Sequence, residues 1–196
     1  DTYEDMVLEW LTSYEDKYEK LIRFGGSGDK GIDVLAYTDY SKKECEFYQC
    51  KHYKSALTPD NVYLEFGKLI YYTLNNDYSC PKKYFFVAPK GIGASLHNLI
   101  NNTAELKSTL ISKWDEKCKS KITSTKDIPL DKTITDYINA FDFSIVSSIE
   151  PIKFIEDYKK TTYYSYRFGG GLQKTRKIIP ITPTAISSNE IPYIKN

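Results

Sequence analysis

Gly28-Asp29-Lys30-Gly31-Ile32-Asp33-Val34-Leu35-Ala36-Tyr37 is the stretch that decides the fold of this chain. Two glycines and two polar residues make a tight turn, and the apolar run that follows makes a strand with Asp33 at its start. A second strand is read over Glu46-Phe47-Tyr48-Gln49-Cys50-Lys51-His52-Tyr53. Strand side chains alternate between faces, so Gln49 and Lys51 share one face while Tyr48, Cys50 and His52 take the other. One acid, one amide oxygen and one ammonium then meet at a single sheet edge. That set can hold a divalent cation and a water beside a phosphate.

Upstream, Met6, Val7, Trp10, Leu11 and Tyr14 recur at helical spacing, with Glu4 and Asp5 in the first turn, which predicts a helix over 2–14. A strand is expected over 18–24, running into Gly25-Gly26. The two motif strands follow at about 31–38 and 44–53. Leu57-Thr58-Pro59-Asp60 reads as a helix start, with apolar positions continuing to Leu74, and Tyr84-Phe85-Phe86-Val87-Ala88 as a buried strand. The order is helix, three strands, helix, strand. Helices are expected over 94–101, 104–119 and 133–140, an extended piece over 141–146, and a helix from Pro151 to about Lys160. The domain reading is therefore a core over 1–93, a mainly helical extension packed on it over 94–168, and an extended tail or linker over 169–196. Arg-Phe-Gly-Gly occurs at 23–26 and 167–170, but the flanks differ and no internal repeat is read.

With 196 residues, 41% of them hydrophobic and 15% aromatic, the chain can bury the core of one ordinary domain. Lys and Arg number 27 against 26 Asp and Glu, a formal charge of +1, so net charge does not point to a nucleic-acid partner. Any attraction for phosphate has to come from local clusters such as Lys42, Lys43, Lys51 and Lys54. Cys45, Cys50, Cys80 and Cys118 lack metal-site spacing, which disfavours zinc and suits the reduced thiols of a cytoplasmic protein. No apolar run approaches the roughly 20 residues needed to cross a bilayer, so no membrane partner is expected. Neither end carries an obvious terminal element, as expected of a fragment of something larger.

Phosphodiester hydrolysis needs charge neutralised on the phosphate and hydroxide generated near neutral pH. Mg²⁺ or Mn²⁺ on oxygen ligands supplies both. Asp33 is the first ligand candidate, Gln49 offers a neutral amide oxygen, and Lys51 can position water or stabilise the charged phosphate. The plainer alternative makes Asp33 a turn cap and Gln49 and Lys51 a solvated strand face. Asp29, Lys30, His52, Lys54 and Lys90 are weaker candidates for nucleic-acid contact. Asp29 equally suits turn hydrogen bonding, His52 packing, and Lys90 a solvated loop. The 18 tyrosines can offer stacking surfaces for bases or simply pack.

The segments Gly25–Tyr37 and Phe47–Tyr53 resemble the PD-(D/E)xK restriction-endonuclease-like superfamily, nearest its Mrr-like branch and the related effector nucleases of bacterial anti-phage defence, which show GDxGID and QxK signatures. The resemblance covers about residues 2–90 and implies an α/β fold with an αβββαβ core. It makes Asp33 the metal-binding acid, Gln49 the residue standing where many members have Glu or Asp, and Lys51 the catalytic lysine. The family usually adds a Glu from the first helix, here Glu4 or, alternatively, Glu9. These lie about 140° apart on a helix and cannot both enter one site. The implied activity is Mg²⁺- or Mn²⁺-dependent cleavage of DNA, controlled by a partner subunit, a sensor domain or homo-oligomerisation. An inactive nucleic-acid-binding module of the same fold, a nuclease for RNA or branched DNA, and a structural subunit are the rival readings.

Overall fold

A computed structural model describes residues 2–26 and 30–169. The chain divides into two compact units, 1–161 and 162–196. The first is a mixed α/β unit built on one five-stranded sheet.

Helix α1 (Thr2–Leu11) buries Val7, Trp10 and Leu11, the stripe its spacing predicts, and gives way to a short 3-10 turn over Thr12–Tyr14. Strands β1 (Lys20–Arg23), β2 (Val34–Asp39) and β3 (Glu44–Cys50) form an antiparallel meander. Val34 lies opposite Tyr48, and an irregularity between Tyr37 and Asp39 precedes the turn. Pro59 begins a 3-10 turn, with Thr58 and Asn61 capping it reciprocally, that leads into α2 (Tyr63–Leu74). Helix α2 then crosses over to β4 (Lys83–Val87), which is parallel to β3.

The next stretch is mainly helical, as read, but its extended piece lies further on, as a strand over Val146–Ile149 that joins the sheet. Helices α3 (Ala94–Asn101), α4 (Thr103–Lys117) and α5 (Lys132–Ala140) lead into β5 (Val146–Ile149), which pairs in parallel with β4 as the fifth strand of the same sheet. Asp142 accepts from the Ser144 amide at 2.9 Å, so 143–145 coils into a 3-10 turn before the strand can begin. Helix α6 (Pro151–Tyr158) follows. In the second unit, α7 (Thr162–Phe168) sets the Tyr164 and Phe168 rings 5.3 Å apart. Most of the expected tail, 170–196, lies outside the described residues.

Alternation along β3 builds the layers. Phe47 joins the main core with Phe66 and Leu69 of α2 and Trp114 of α4. Tyr48 faces the other way, 5.8 Å from the Trp10 ring, and Trp10 in turn meets Phe154 of α6 at 5.1 Å. Helices α2, α4 and α5 cover one face of the sheet, α1 and α6 the other. All four cysteines are free thiols, and burial pushes Cys118 up to about 12. Among the described residues, no helix is long and apolar enough to cross a membrane.

Two packing details yield predictions. A Cβ at Gly67 of α2 would sit 2.6 Å from the Cys118 sulfur. Gly67→Ala should therefore destabilise, because overpacking costs about 1–3 kcal/mol against the roughly 1 kcal/mol that alanine gains in a helix. In a Cys118→Ala background the sulfur clash is gone and the Cβ contact at 3.0 Å remains, so the same change should cost less, which urea unfolding midpoints will show.

Asp157 of α6 is 6% exposed and receives hydrogen bonds from Lys160 at 2.6 Å, from Tyr14 and from Lys153 at 2.9 Å. Burial alone would raise its pKa, but these three donors together hold it well below the usual carboxylate range. A depressed folded-state pKa stabilises the fold above the unfolded value and ceases to do so as pH falls toward the folded one. Asp157→Asn should flatten the loss of stability between about pH 5 and pH 2, read by thermal melts across that range.

Candidate active site

Asp33 sits one residue before β2, and its backbone carbonyl accepts from the Phe24 amide at 2.8 Å, extending the β1–β2 ladder by one step. Its carboxylate Oδ2 accepts from Gln49 Nε2 at 2.5 Å and from the Cys50 backbone N–H at 2.6 Å. The acid therefore bridges to the neighbouring strand, 7% exposed, with Gln49 5% exposed beside it. Burial without partners would be costly for either group, and the two satisfy each other.

Lys51 follows directly after β3. Its backbone N–H donates to Val87 O at 2.9 Å, so the strand path continues one step and alternation keeps Lys51 on the Gln49 side. There the ammonium meets Glu65 of α2 in a largely enclosed ion pair, the two side chains 16% and 6% exposed. Tyr84, from β4, donates its hydroxyl to Gln49 Oε1 at 3.4 Å. Asp33, Gln49 and Lys51 thus lie at one end of the sheet.

The Cys50 thiol registers the charges gathered there. Burial raises its pKa well above the ordinary value, Asp33 and Glu4 raise it further, and Lys51 and Arg23 oppose them. Glu4 is thus electrostatically coupled to the end of β3, but its carboxylate is 2.9 Å from an Arg23 guanidinium nitrogen, and Asp5 pairs with the same side chain at 3.0 Å. Glu9 accepts from the Tyr158 hydroxyl at 2.6 Å and ties α1 to α6. Of the two first-helix acids, Glu4 contributes to the charge felt at Cys50.

The weaker candidates scatter. His52 stacks on Tyr3, ring centroids 5.1 Å apart and planes 14° off parallel. Lys30 is in the left-handed region at φ 53° and pairs with Asp77. Lys54 and Lys90 are exposed, in the loops after β3 and β4. Asp29 lies outside the described residues. A cavity of about 480 Å³ between Phe24, Tyr37, Phe47 and Tyr78 has Lys30 and Lys43 in its walls, but none of Asp33, Gln49 and Lys51 lines it.

Two members of the constellation went unread in the sequence, Glu65 and Tyr84. Glu65 had a visible signal: it lies on the buried stripe of α2, among Val62, Phe66 and Leu69, where an acid is out of place without a partner. Tyr84 looked like any other aromatic of a buried strand.

The donor set suits a hard cation. Asp33 and the Gln49 amide supply oxygen, the element Mg²⁺ and Mn²⁺ prefer, and Mg²⁺ is commonly held through one or two carboxylates with water completing its shell. Among the described residues, no group of three or more His, Cys, Asp and Glu side chains is placed to hold a metal ion. No family model matches this chain, and neither does any curated protein or solved structure.

Proposed function

We propose that this protein is a divalent-metal-dependent nuclease of the restriction-endonuclease-like type that hydrolyses DNA phosphodiester bonds, acting as an effector in bacterial anti-phage defence. One observation carries the reading: Asp33, Gln49 and Lys51 come from adjacent strands to one sheet end, and a buried acid holds the lysine. The element order α1-β1-β2-β3-α2-β4 is consistent with the αβββαβ order the resemblance implies. A solvated strand face needs no acid on α2 to receive its lysine.

In this reading Asp33 and the Gln49 oxygen hold Mg²⁺ or Mn²⁺. When bound, the cation supplies Lewis acidity and a more acidic water. Lys51, as a fixed ammonium, orients the attacking water and faces the charge developing on the phosphate. Glu65 keeps that ammonium from swinging into solvent. Control by a partner subunit, a sensor domain or self-association belongs to the same proposal.

The test is cleavage of supercoiled plasmid in Mg²⁺ or Mn²⁺ by wild type, Asp33→Ala and Lys51→Ala, with single-stranded RNA and branched DNA run alongside. Metal-dependent cleavage lost in both variants supports the proposal. Undiminished cleavage in both overturns the site, and DNA binding by an inactive wild type favours the binding module.

A further inference from the structure

Beneath the proposed cation site lies a chain of buried polar groups that the nuclease reading leaves unused. Gln49 Nε2 donates to Asp33 Oδ2 at 2.5 Å, while Gln49 Oε1 accepts from the Tyr84 hydroxyl at the long distance of 3.4 Å. In this orientation the amide turns its nitrogen, a donor with no lone pair for a cation, toward the acid. Its oxygen points away, toward Tyr84. Resting on the assignment of Asp33 and Gln49 as cation ligands, we infer that Tyr84 is a positioning residue whose hydroxyl lets the Gln49 amide turn its oxygen toward Asp33.

The two ends of a side-chain amide are nearly equal in size, so a half-turn changes partners rather than packing. After the turn Oε1 faces the Asp33 side and Nε2 faces Tyr84. The phenol oxygen accepts from Nε2, and the phenol proton then needs a new acceptor. Glu65 is the acceptor the inference assigns: its Oε1 holds Lys51, while its buried Oε2 has no hydrogen-bond partner among the described residues. Tyr84 is buried at 1% exposure, and its phenol is a hydroxyl that can both donate and accept. No covalent bond changes in the turn. One hydroxyl rotates and one amide exchanges ends.

A hydroxyl can serve both orientations because it donates and accepts. Tyr84→Phe removes only a long contact from the closed arrangement, but it leaves the Nε2 of the turned arrangement buried without an acceptor. The variant should therefore favour the closed arrangement and bind cation more weakly, by about tenfold.

The experiment measures Mn²⁺ binding by electron paramagnetic resonance for wild type, Asp33→Ala and Tyr84→Phe, without substrate. In parallel, the side-chain amide resonances of Gln49 in wild type are followed during Mg²⁺ titration. Roughly tenfold weaker Mn²⁺ binding by Tyr84→Phe, with the wild-type Gln49 resonances moving on Mg²⁺ addition, is the expected result. If Asp33→Ala loses Mn²⁺ while Tyr84→Phe binds within twofold of wild type, the inference about Tyr84 fails and the cation site stands. Static Gln49 resonances in Mg²⁺-bound wild type also overturn it, whatever becomes of the variants' folding. Should Asp33→Ala bind Mn²⁺ as wild type does, the cation site itself is wrong and the inference goes with it.

Discussion

Lys51→Met will destabilise the protein by about 3 kcal/mol or more, and adding Glu65→Leu will restore most of that loss. The single substitution leaves the Glu65 carboxylate, 6% exposed, facing an apolar side chain, and its Oε1 loses the ammonium that compensates it. An uncompensated buried charge is among the costliest defects a core can carry, whereas replacing both members by apolar residues of similar volume is often neutral or stabilising. Urea unfolding of wild type, the single and the double variant will read the difference. The double variant also separates folding from chemistry, because it should be well folded and still fail to cleave DNA. If Lys51→Met unfolds with the wild-type midpoint, the pair is not the enclosed one described here.

Asp33→Ala will lower metal-dependent cleavage by about a hundredfold or more, since it removes the one carboxylate at the proposed cation site. It will also cost stability. The Gln49 amide and the Cys50 N–H both donate to Asp33 Oδ2, and each loses its acceptor, at about 1–3 kcal/mol per buried unmade hydrogen bond. Asp33→Asn is the sharper probe, because its side-chain oxygen can still take the Cys50 N–H while the negative charge is gone. Initial rates of plasmid nicking, set beside thermal melts, will show the two variants equally inactive but unequally stable. Activity in Asp33→Asn within tenfold of wild type would remove the carboxylate from the mechanism.

The sheet was legible where side-chain pattern and turn chemistry agreed. Gly25-Gly26 ends β1, alternating apolar residues mark β3, and the Tyr84–Ala88 run marks β4, since each reflects local burial. β5 was missed for a physical reason. Val146-Ser147-Ser148-Ile149 has two hydroxyl residues at its centre, and its strand identity comes from pairing with β4 in a place only tertiary structure provides. Asp142 displaced the strand start by capping the turn before it. At the site, Asp33, Gln49 and Lys51 could be placed from alternation alone. The Glu65 partnership could not, because Lys51 and Glu65 meet only once α2 packs on the sheet face. The Tyr84 contact with the Gln49 amide was likewise hidden, because Tyr84 lies on a different strand.

Strand β3 is antiparallel to one neighbour and parallel to the other, and that mixed pairing divides the labour between the two ends of the sheet. The connections 24–33, 51–62 and 88–93 all leave or enter at the end that carries Asp33 and Lys51, while the β2–β3 turn and the α2–β4 connection lie at the opposite end. Two of the site-end connections are tied together by the Leu57 N–H to Gly91 O bond at 3.0 Å and the Gly93 N–H to Leu57 O bond at 2.8 Å. Changes in the length or composition of these segments can reshape what reaches the acid and the lysine without moving a single rung of the strand ladder. Under the proposed function, exchanging the 88–93 loop with the Leu57 pairings retained is therefore a route to altering what is cleaved while sparing the fold.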